Sequence, residues 1–252
     1  MRVVLLTRTG RPSGREILKK LVMAEEAVTG VVVEKRASLL LEKGIFHFIR
    51  ESIKRHGFLF LMQRVREVIR AFSKGREFSL RDICEENGVT LFMVENHNSS
   101  STEGLLRSLR PDLLITANTR IIKGNILKIP QKGAINFHTS KLPQYAGLDS
   151  IFWALYHGEK EIGVTIHFLK EKLDTGDIIL QETIPVQADD DLTSLTRKAN
   201  ELGGRLIVKV IEGFKRGDLK GVPQDLRGRT YFSWPTPSQR RELLKRKRQL
   251  NA

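Results

Sequence analysis

A single cysteine, Cys84, occurs in 252 residues, which excludes a disulfide framework. No apolar run approaches the roughly 18 residues a membrane span needs, so no membrane-embedded segment is expected. Proline is sparse, with 8 residues, and neither a low-complexity linker nor an internal repeat divides the chain. The N-terminus, MRVVLLTRTG, lacks the long apolar stretch and small-residue cleavage site of a signal peptide. A cytoplasmic protein is expected, in which the sequon Asn98-Ser99-Ser100 is a chance match. What is present suffices for a core: 40% of residues are hydrophobic, which excludes general disorder. The length fits one large domain, or a domain with a helical appendage.

The net charge is +14, unevenly placed. Residues 35–81 carry 12 basic and 4 acidic side chains, and residues 215–252 carry 11 and 3. The remainder is slightly acidic. Two readings stay open: an electrostatic footprint for phosphate-rich partners, or solvated faces of a Lys/Arg-rich protein. Aromatics are few, 7% of the chain, and neither segment interleaves them with basic residues as a stacking platform would.

Patterning predicts alternating strands and helices. Arg2–Thr7 is a short apolar run of the kind buried in parallel sheets. A helix follows over about Ser13–Met23, with Ser13 as cap and Glu16 three residues later as in a capping box. Gly30–Val33 is a second strand. Apolar residues at helical spacing over 38–72 predict two basic helices broken near Gly57. Further strands are expected over Val89–Val94, Asp112–Ala117, Gly133–His138, Gly163–Leu169 and Ile178–Ile184. Helices are expected over about 79–86, Thr102–Leu109, Ser150–His157, capped by Asp149 or Ser150, and Leu192–Phe214. Tyr231–Pro237 reads as irregular, with Tyr231 and Trp234 pinning it to the domain, and Ser238–Leu250 as a charged terminal helix. Strands separated by helices imply an α/β fold with a doubly wound, mostly parallel sheet. The expected division is a catalytic domain over 1–214, with a basic helical insertion over 35–81, and a basic tail over 215–252.

In such sheets ligands bind beyond the carboxyl ends of strands. The strand GAINFH ends in two polar residues, Asn136 and His138, which point to one side of an extended chain. Leu142-Pro143 stiffens the loop that follows, and Gly147 lets it turn back. A second polar cluster, Lys172–Asp177, joins two apolar strands. It is either an ordinary turn or a loop that brings Asp174 to His138. A carboxylate beside an imidazole favours the protonated ring, and such a pair can move a proton near neutral pH.

The segment from Asn136-Phe-His138-Thr-Ser140-Lys-Leu142-Pro143 to Gly147, followed by Leu173-Asp174-Thr175-Gly176-Asp177, resembles the folate-dependent formyltransferase superfamily. That superfamily includes phosphoribosylglycinamide formyltransferases and the catalytic domain of methionyl-tRNA formyltransferases. The resemblance covers roughly Pro111–Pro185 well and the first two strands loosely. It implies a Rossmann-like fold and catalytic roles for Asn136, His138 and Asp174. By the same resemblance Arg120, Ile121 and Ile122 lie in the pterin-side loop of a 10-formyltetrahydrofolate site. Lys170, Glu171 and Leu173 lie in its folate-binding loop. His167, seven residues before Asp174, resembles the purine-type members. The implied chemistry is attack of a primary amine on the formyl carbon. Asn136 and protonated His138 would donate to the developing oxyanion, while Asp174 relays the proton. No metal is expected, because no HExxH or Cys/His spacing occurs.

The chain also departs from the family pattern. Thr139 stands where proline commonly follows the histidine. The first loop, Thr7–Gly14, lacks the Gly-Asn-Gly-Ser-Asn pattern of purine-type members. It is neither GxGxxG nor a Walker A, so no dinucleotide site is expected. Gly10, Arg11, Ser13 and the following helix N-terminus either bind an anionic acceptor or form a plain turn. With Gly147 and His167 these are the candidate acceptor-binding residues. Only a short tail follows the long helix, so the usual tRNA-binding arrangement is expected to be missing. The acceptor expected is a small-molecule amine, as in phosphoribosylglycinamide formyltransferase. The alternatives are a 10-formyltetrahydrofolate hydrolase and a methionyl-tRNA formyltransferase-like enzyme using the basic segments for RNA.

Overall fold

A computed structural model describes residues 1–35 and 79–250; the two basic helices expected within 38–72 lie outside the described residues. The strands are β1 (Val3–Arg8), β2 (Val28–Glu34), β3 (Leu91–Val94), β4 (Leu113–Ala117), β5 (Ala134–His138), β6 (Ala146–Gly147), β7 (Glu161–Phe168), β8 (Ile178–Pro185) and β9 (Tyr231–Phe232). The helices are α1 (Pro12–Met23), α2 (Leu80–Glu86), α3 (Ser100–Leu109), α4 (Gly124–Leu127), α5 (Ser150–Tyr156), α6 (Leu192–Arg216) and α7 (Pro237–Leu250).

Seven strands form one sheet in the order β3-β2-β1-β4-β5-β7-β8. The first five are parallel, and β7 and β8 are antiparallel to their neighbours. The alternation along β1 explains why its run is apolar on both sides. Val3 and Leu5 join the core with Ile17, Leu21, Leu206 and Val210. Val4 and Leu6 face the opposite way, into a core with Leu106, Ile122 and Ile126. A strand covered on both faces by helices needs no polar phase.

The helices end where their residues dictate. α6 presents Leu195, Ala199, Leu202, Leu206 and Val210 to the core at helical spacing. Each leucine or valine so buried contributes about 1.5–3 kcal/mol. Asp191 caps α6 in a reciprocal box with Ser194, and Gly217 ends it in a left-handed conformation. α1 departs from expectation: it starts one residue earlier, with Arg11 at the cap position and Pro12 as its first residue. Ser13 therefore does not cap but lies buried in the first turn, where the Asn118 side chain donates to its hydroxyl. Proline, which has no N–H to satisfy, accounts for the displaced start.

The segment read as irregular holds a short strand, β9, parallel to β6. Tyr231 packs its ring against Gly147, as expected, and Phe232 adds stacking that pins the segment. The Phe232 ring lies 4.7 Å from Trp153 and 5.5 Å from Tyr145, and both Tyr231 and Trp234 are exposed. Asp149 occupies the cap position of α5 without capping it, and its carboxylate accepts instead from Arg240 of α7 at 2.7 Å. Among the described residues no helix is long and apolar enough to cross a membrane.

Candidate active site

β1 lies between β2 on one side and β4 on the other, so successive connections diverge and leave a crevice at the carboxyl ends of the parallel strands. One residue row across the sheet is polar there. Thr116 of β4, Asn136 of β5 and His167 of β7 are adjacent in register. The Thr116 hydroxyl donates to the Asn136 carbonyl oxygen at 2.7 Å. The Asn136 amide nitrogen faces His167 Nε2 at 3.2 Å. The His167 Nδ1–H donates to the Phe168 carbonyl at 2.8 Å, so Nε2 is left as the acceptor for the amide. Burial holds this histidine neutral, its pKa lowered to about 4, with the neighbouring His138 adding to the shift and Asp174 opposing it. One amide hydrogen of Asn136 is spent on His167, and the second is aimed by the same contacts.

His138 lies two residues beyond Asn136 on the same face. Its Nε2–H donates to the Tyr145 carbonyl at 3.3 Å and sits 3.9 Å from Asp174. The other Asp174 oxygen is 3.8 Å from His167 Nε2. Asp174 is 5% exposed and accepts from the Gly147 N–H at 2.8 Å. The anchored amide, two imidazoles and a carboxylate thus converge from two strands, β5 and β7, and the loop between β7 and β8.

Two glycines are required by this geometry. A methyl group on Gly176 would lie 1.6 Å from the Phe168 carbonyl oxygen, so only glycine lets the loop bearing Asp174 fold back onto β7. Gly147 has a φ of +100°, and a side chain there would meet the Phe232 carbonyl.

The other candidate residues fall in distinct places. Ile122 is buried among the core residues behind β4, whereas Ile121 is 61% exposed. Arg120 makes a two-pronged pair with Glu34, at 2.6 and 2.9 Å. Lys170 pairs with Asp177 at 2.8 Å. Glu171 lies against Gly124, where an added methyl group would be 2.9 Å from its carboxylate. The segments around 120–124 and 170–174 therefore meet. Leu173 is half-buried, and its carbonyl accepts from Arg229. Gly10 turns the first loop with a φ of +72°, ahead of Arg11 and the buried Ser13. Gly147 meets Asp174 through its backbone N–H.

Sequence reasoning missed several participants. Thr116 was readable only as one more residue of an apolar strand. Glu34 is fully buried at the end of β2, held by Arg120, by Arg8 at 3.3 Å and by the His97 N–H at 3.0 Å. Burial alone would raise its pKa, but Arg120 and His97 outweigh burial and lower it. Among the described residues no group of three or more histidine, cysteine or carboxylate side chains is placed to hold a metal.

Comparisons with known proteins agree with this fold. The formyl transferase family profile matches residues 68–211. The methionyl-tRNA formyltransferase of Halalkalibacterium halodurans is 39% identical over 143 residues, covering 56% of this chain and 45% of that protein. The chain spans about half the length of the curated relatives it matches. Among solved structures, phosphoribosylglycinamide formyltransferase from Anaplasma phagocytophilum is similar with a TM-score of 0.64 at 20% identity, covering 93% of this chain and 99% of that one. An N-formyltransferase from Helicobacter canadensis, in complex with folinic acid and dTDP-3-aminofucose, has a TM-score of 0.58 at 18% identity over 92% of this chain and 70% of that one. With the profile spanning more than half of its residues, this chain belongs to the formyl transferase family.

Proposed function

We propose that the chain transfers a formyl group from 10-formyltetrahydrofolate to a primary amine, with Asn136, His138 and Asp174 acting on the reacting atoms. The observation that carries this reading is the convergence of an anchored amide, an imidazole and a buried carboxylate on one crevice. The co-substrate supplies an activated formyl carbon. Asn136 directs its free amide hydrogen at the formyl oxygen, where negative charge develops. Thr116 and His167 hold that amide, so it needs no reorganisation as the charge forms. His138 keeps Nε2–H on the Tyr145 carbonyl side and leaves Nδ1 for the reacting groups. Asp174, within 4 Å of both imidazoles, takes up the proton the amine loses, through His138 or water, and the proton passes to N10 of the folate as the bond from N10 to the formyl carbon breaks and tetrahydrofolate leaves. Distances slightly longer than hydrogen bonds are usual before substrate tightens a site.

The residues suit a folate. The segments around 120–124 and 170–174 meet beside the crevice, and exposed Ile121 offers apolar surface to a ring. For the acceptor, His167 favours a small-molecule amine by its resemblance to purine-type members. The sequence relatives, at 34–39% identity, carry the name methionyl-tRNA formyltransferase and favour the amino group of methionyl-tRNA as a second reading. The test incubates the protein with 10-formyltetrahydrofolate and, separately, phosphoribosylglycinamide, dTDP-3-aminofucose and methionyl-tRNA. Tetrahydrofolate release is followed in each. Release with an amine supports transfer and names the acceptor class; release without one indicates a hydrolase; none at all refutes the reading.

A further inference from the structure

The family match ends at residue 211, and the sequence treats everything after 214 as a tail. The structure binds part of that tail to the candidate site. Val222 forms an antiparallel bridge with Ile178, through two backbone hydrogen bonds of 2.8 Å. The Gln224 side-chain nitrogen donates to the Asp174 carbonyl at 3.1 Å and to the Gly176 carbonyl at 2.6 Å. Arg229 donates to the Leu173 carbonyl at 3.2 Å. Thr230 then accepts from the Tyr145 and Ala146 N–H groups at 2.8 and 3.0 Å, and the Phe232 carbonyl accepts from Leu148 at 2.8 Å. The same short segment thus grips the loop that carries Asp174 and the loop whose Gly147 donates to Asp174. The circuit closes through the Asp174 carboxylate itself.

We propose that residues 222–232 belong to the catalytic unit and that Gln224 is a positioning residue for Asp174, a role that rests on the transferase reading above. Asp174 has a φ of +52°, a conformation a non-glycine residue keeps only where its surroundings hold it. Gln224 holds it by tying the carbonyls on either side of Thr175. The orientation of its amide is forced, because a flip would set Oε1 against two carbonyl oxygens. That atom is buried without a hydrogen-bond partner among the described residues, a cost accepted for the two bonds its nitrogen makes. The Asp174 carboxylate reaches His138 and His167 only at 3.8–3.9 Å, so a small displacement decides whether it communicates with them at all.

The test compares wild type with Gln224→Met, which keeps the length and removes both donors, and with Gln224→Glu, which donates only when protonated. Asp218→Asn, outside this segment and exposed, with its carboxylate accepting from Arg216 at 2.9 Å, is the control. In Gln224→Met, kcat is expected to fall about 10- to 100-fold, as misplacement by an ångström does. KM is expected to stay within about threefold and melting within a few degrees. In Gln224→Glu the loss should shrink as pH is lowered and the carboxyl gains its proton. Amide exchange at Gly147 should quicken about tenfold in Gln224→Met, since its acceptor is released. Wild-type kcat in Gln224→Met, or a loss accounted for by unfolding, overturns the proposal. If wild type transfers no formyl group to any acceptor, the transferase reading fails, and exchange at Gly147 alone decides this one: unchanged exchange refutes it.

Discussion

Replacing Glu34 by glutamine keeps the shape of the side chain and removes its charge. The carboxylate has no exposed surface and receives two bonds from Arg120, one from the His97 N–H and the approach of Arg8. Glutamine preserves one acceptor oxygen and turns an NH2 group toward a donor. Breaking a buried ion pair costs about 3–5 kcal/mol. Arg120 and Arg8 are 33% and 24% exposed and recover some water, which discounts the loss to roughly 2–3 kcal/mol. For a chain of this size that is a melting-temperature drop of about 5–10 °C. The lowered pKa of Glu34 fixes the pH dependence. Its contribution is complete above the unfolded value of about 4.3 and is lost as pH falls through the lower folded value. The gap between wild type and Glu34→Gln should therefore be full at neutral pH and close in acid below pH ~4. Calorimetric melting across that range is the assay. A drop under about 2 °C at neutral pH, or a gap that widens in acid, would show that the cluster is not held by this charge.

Alanine at Asn136, His138 or Asp174 is expected to lower kcat by about 10²- to 10³-fold each with melting little changed, measured by tetrahydrofolate release and thermal unfolding. Gly176→Ala forces a methyl group into the Phe168 carbonyl and should abolish activity while circular dichroism shows the sheet retained. His167 stays neutral to about pH 4, whereas the unfolded chain protonates it near 6.5. Stability should thus fall between those values by on the order of 1 kcal/mol per pH unit, and His167→Gln should flatten that slope in denaturant titrations.

Much of the fold was legible because buried parallel strands advertise themselves. β1, β2 and β4 are short β-branched or leucine-rich runs between helical patterns, and their spacing allowed few other arrangements. Asn136 and His138 stood out because polar residues end an otherwise apolar strand. A loop between apolar strands left two readings open for Asp174, an ordinary turn or a reach to His138, and the 3.9 Å approach answers to the second. What stayed hidden depends on tertiary register. Nothing local marks Thr116 as the partner of Asn136, since that bond exists only because β4 and β5 pair with those residues side by side. Nothing local marks Glu34 either, since its burial depends on Arg120, 86 residues away. Pro12 hid the true start of α1, because serine is the commoner cap and the reading followed it. Gln224 and Arg229 sat in a segment judged by its charge, whereas their role is to donate to carbonyls.

Synthesis imposes an order on these contacts. Asp174 emerges from the ribosome 50 residues before Gln224, and Leu173 emerges 56 before Arg229. At roughly 5–20 residues per second, the asparagine, histidine and aspartate are all outside for about 3–10 s before their clasp exists. During that interval the growing chain carries the full chemical complement of the site without its geometry. On the role proposed for Gln224, the moment of competence is set by the arrival of a segment that touches no reacting atom.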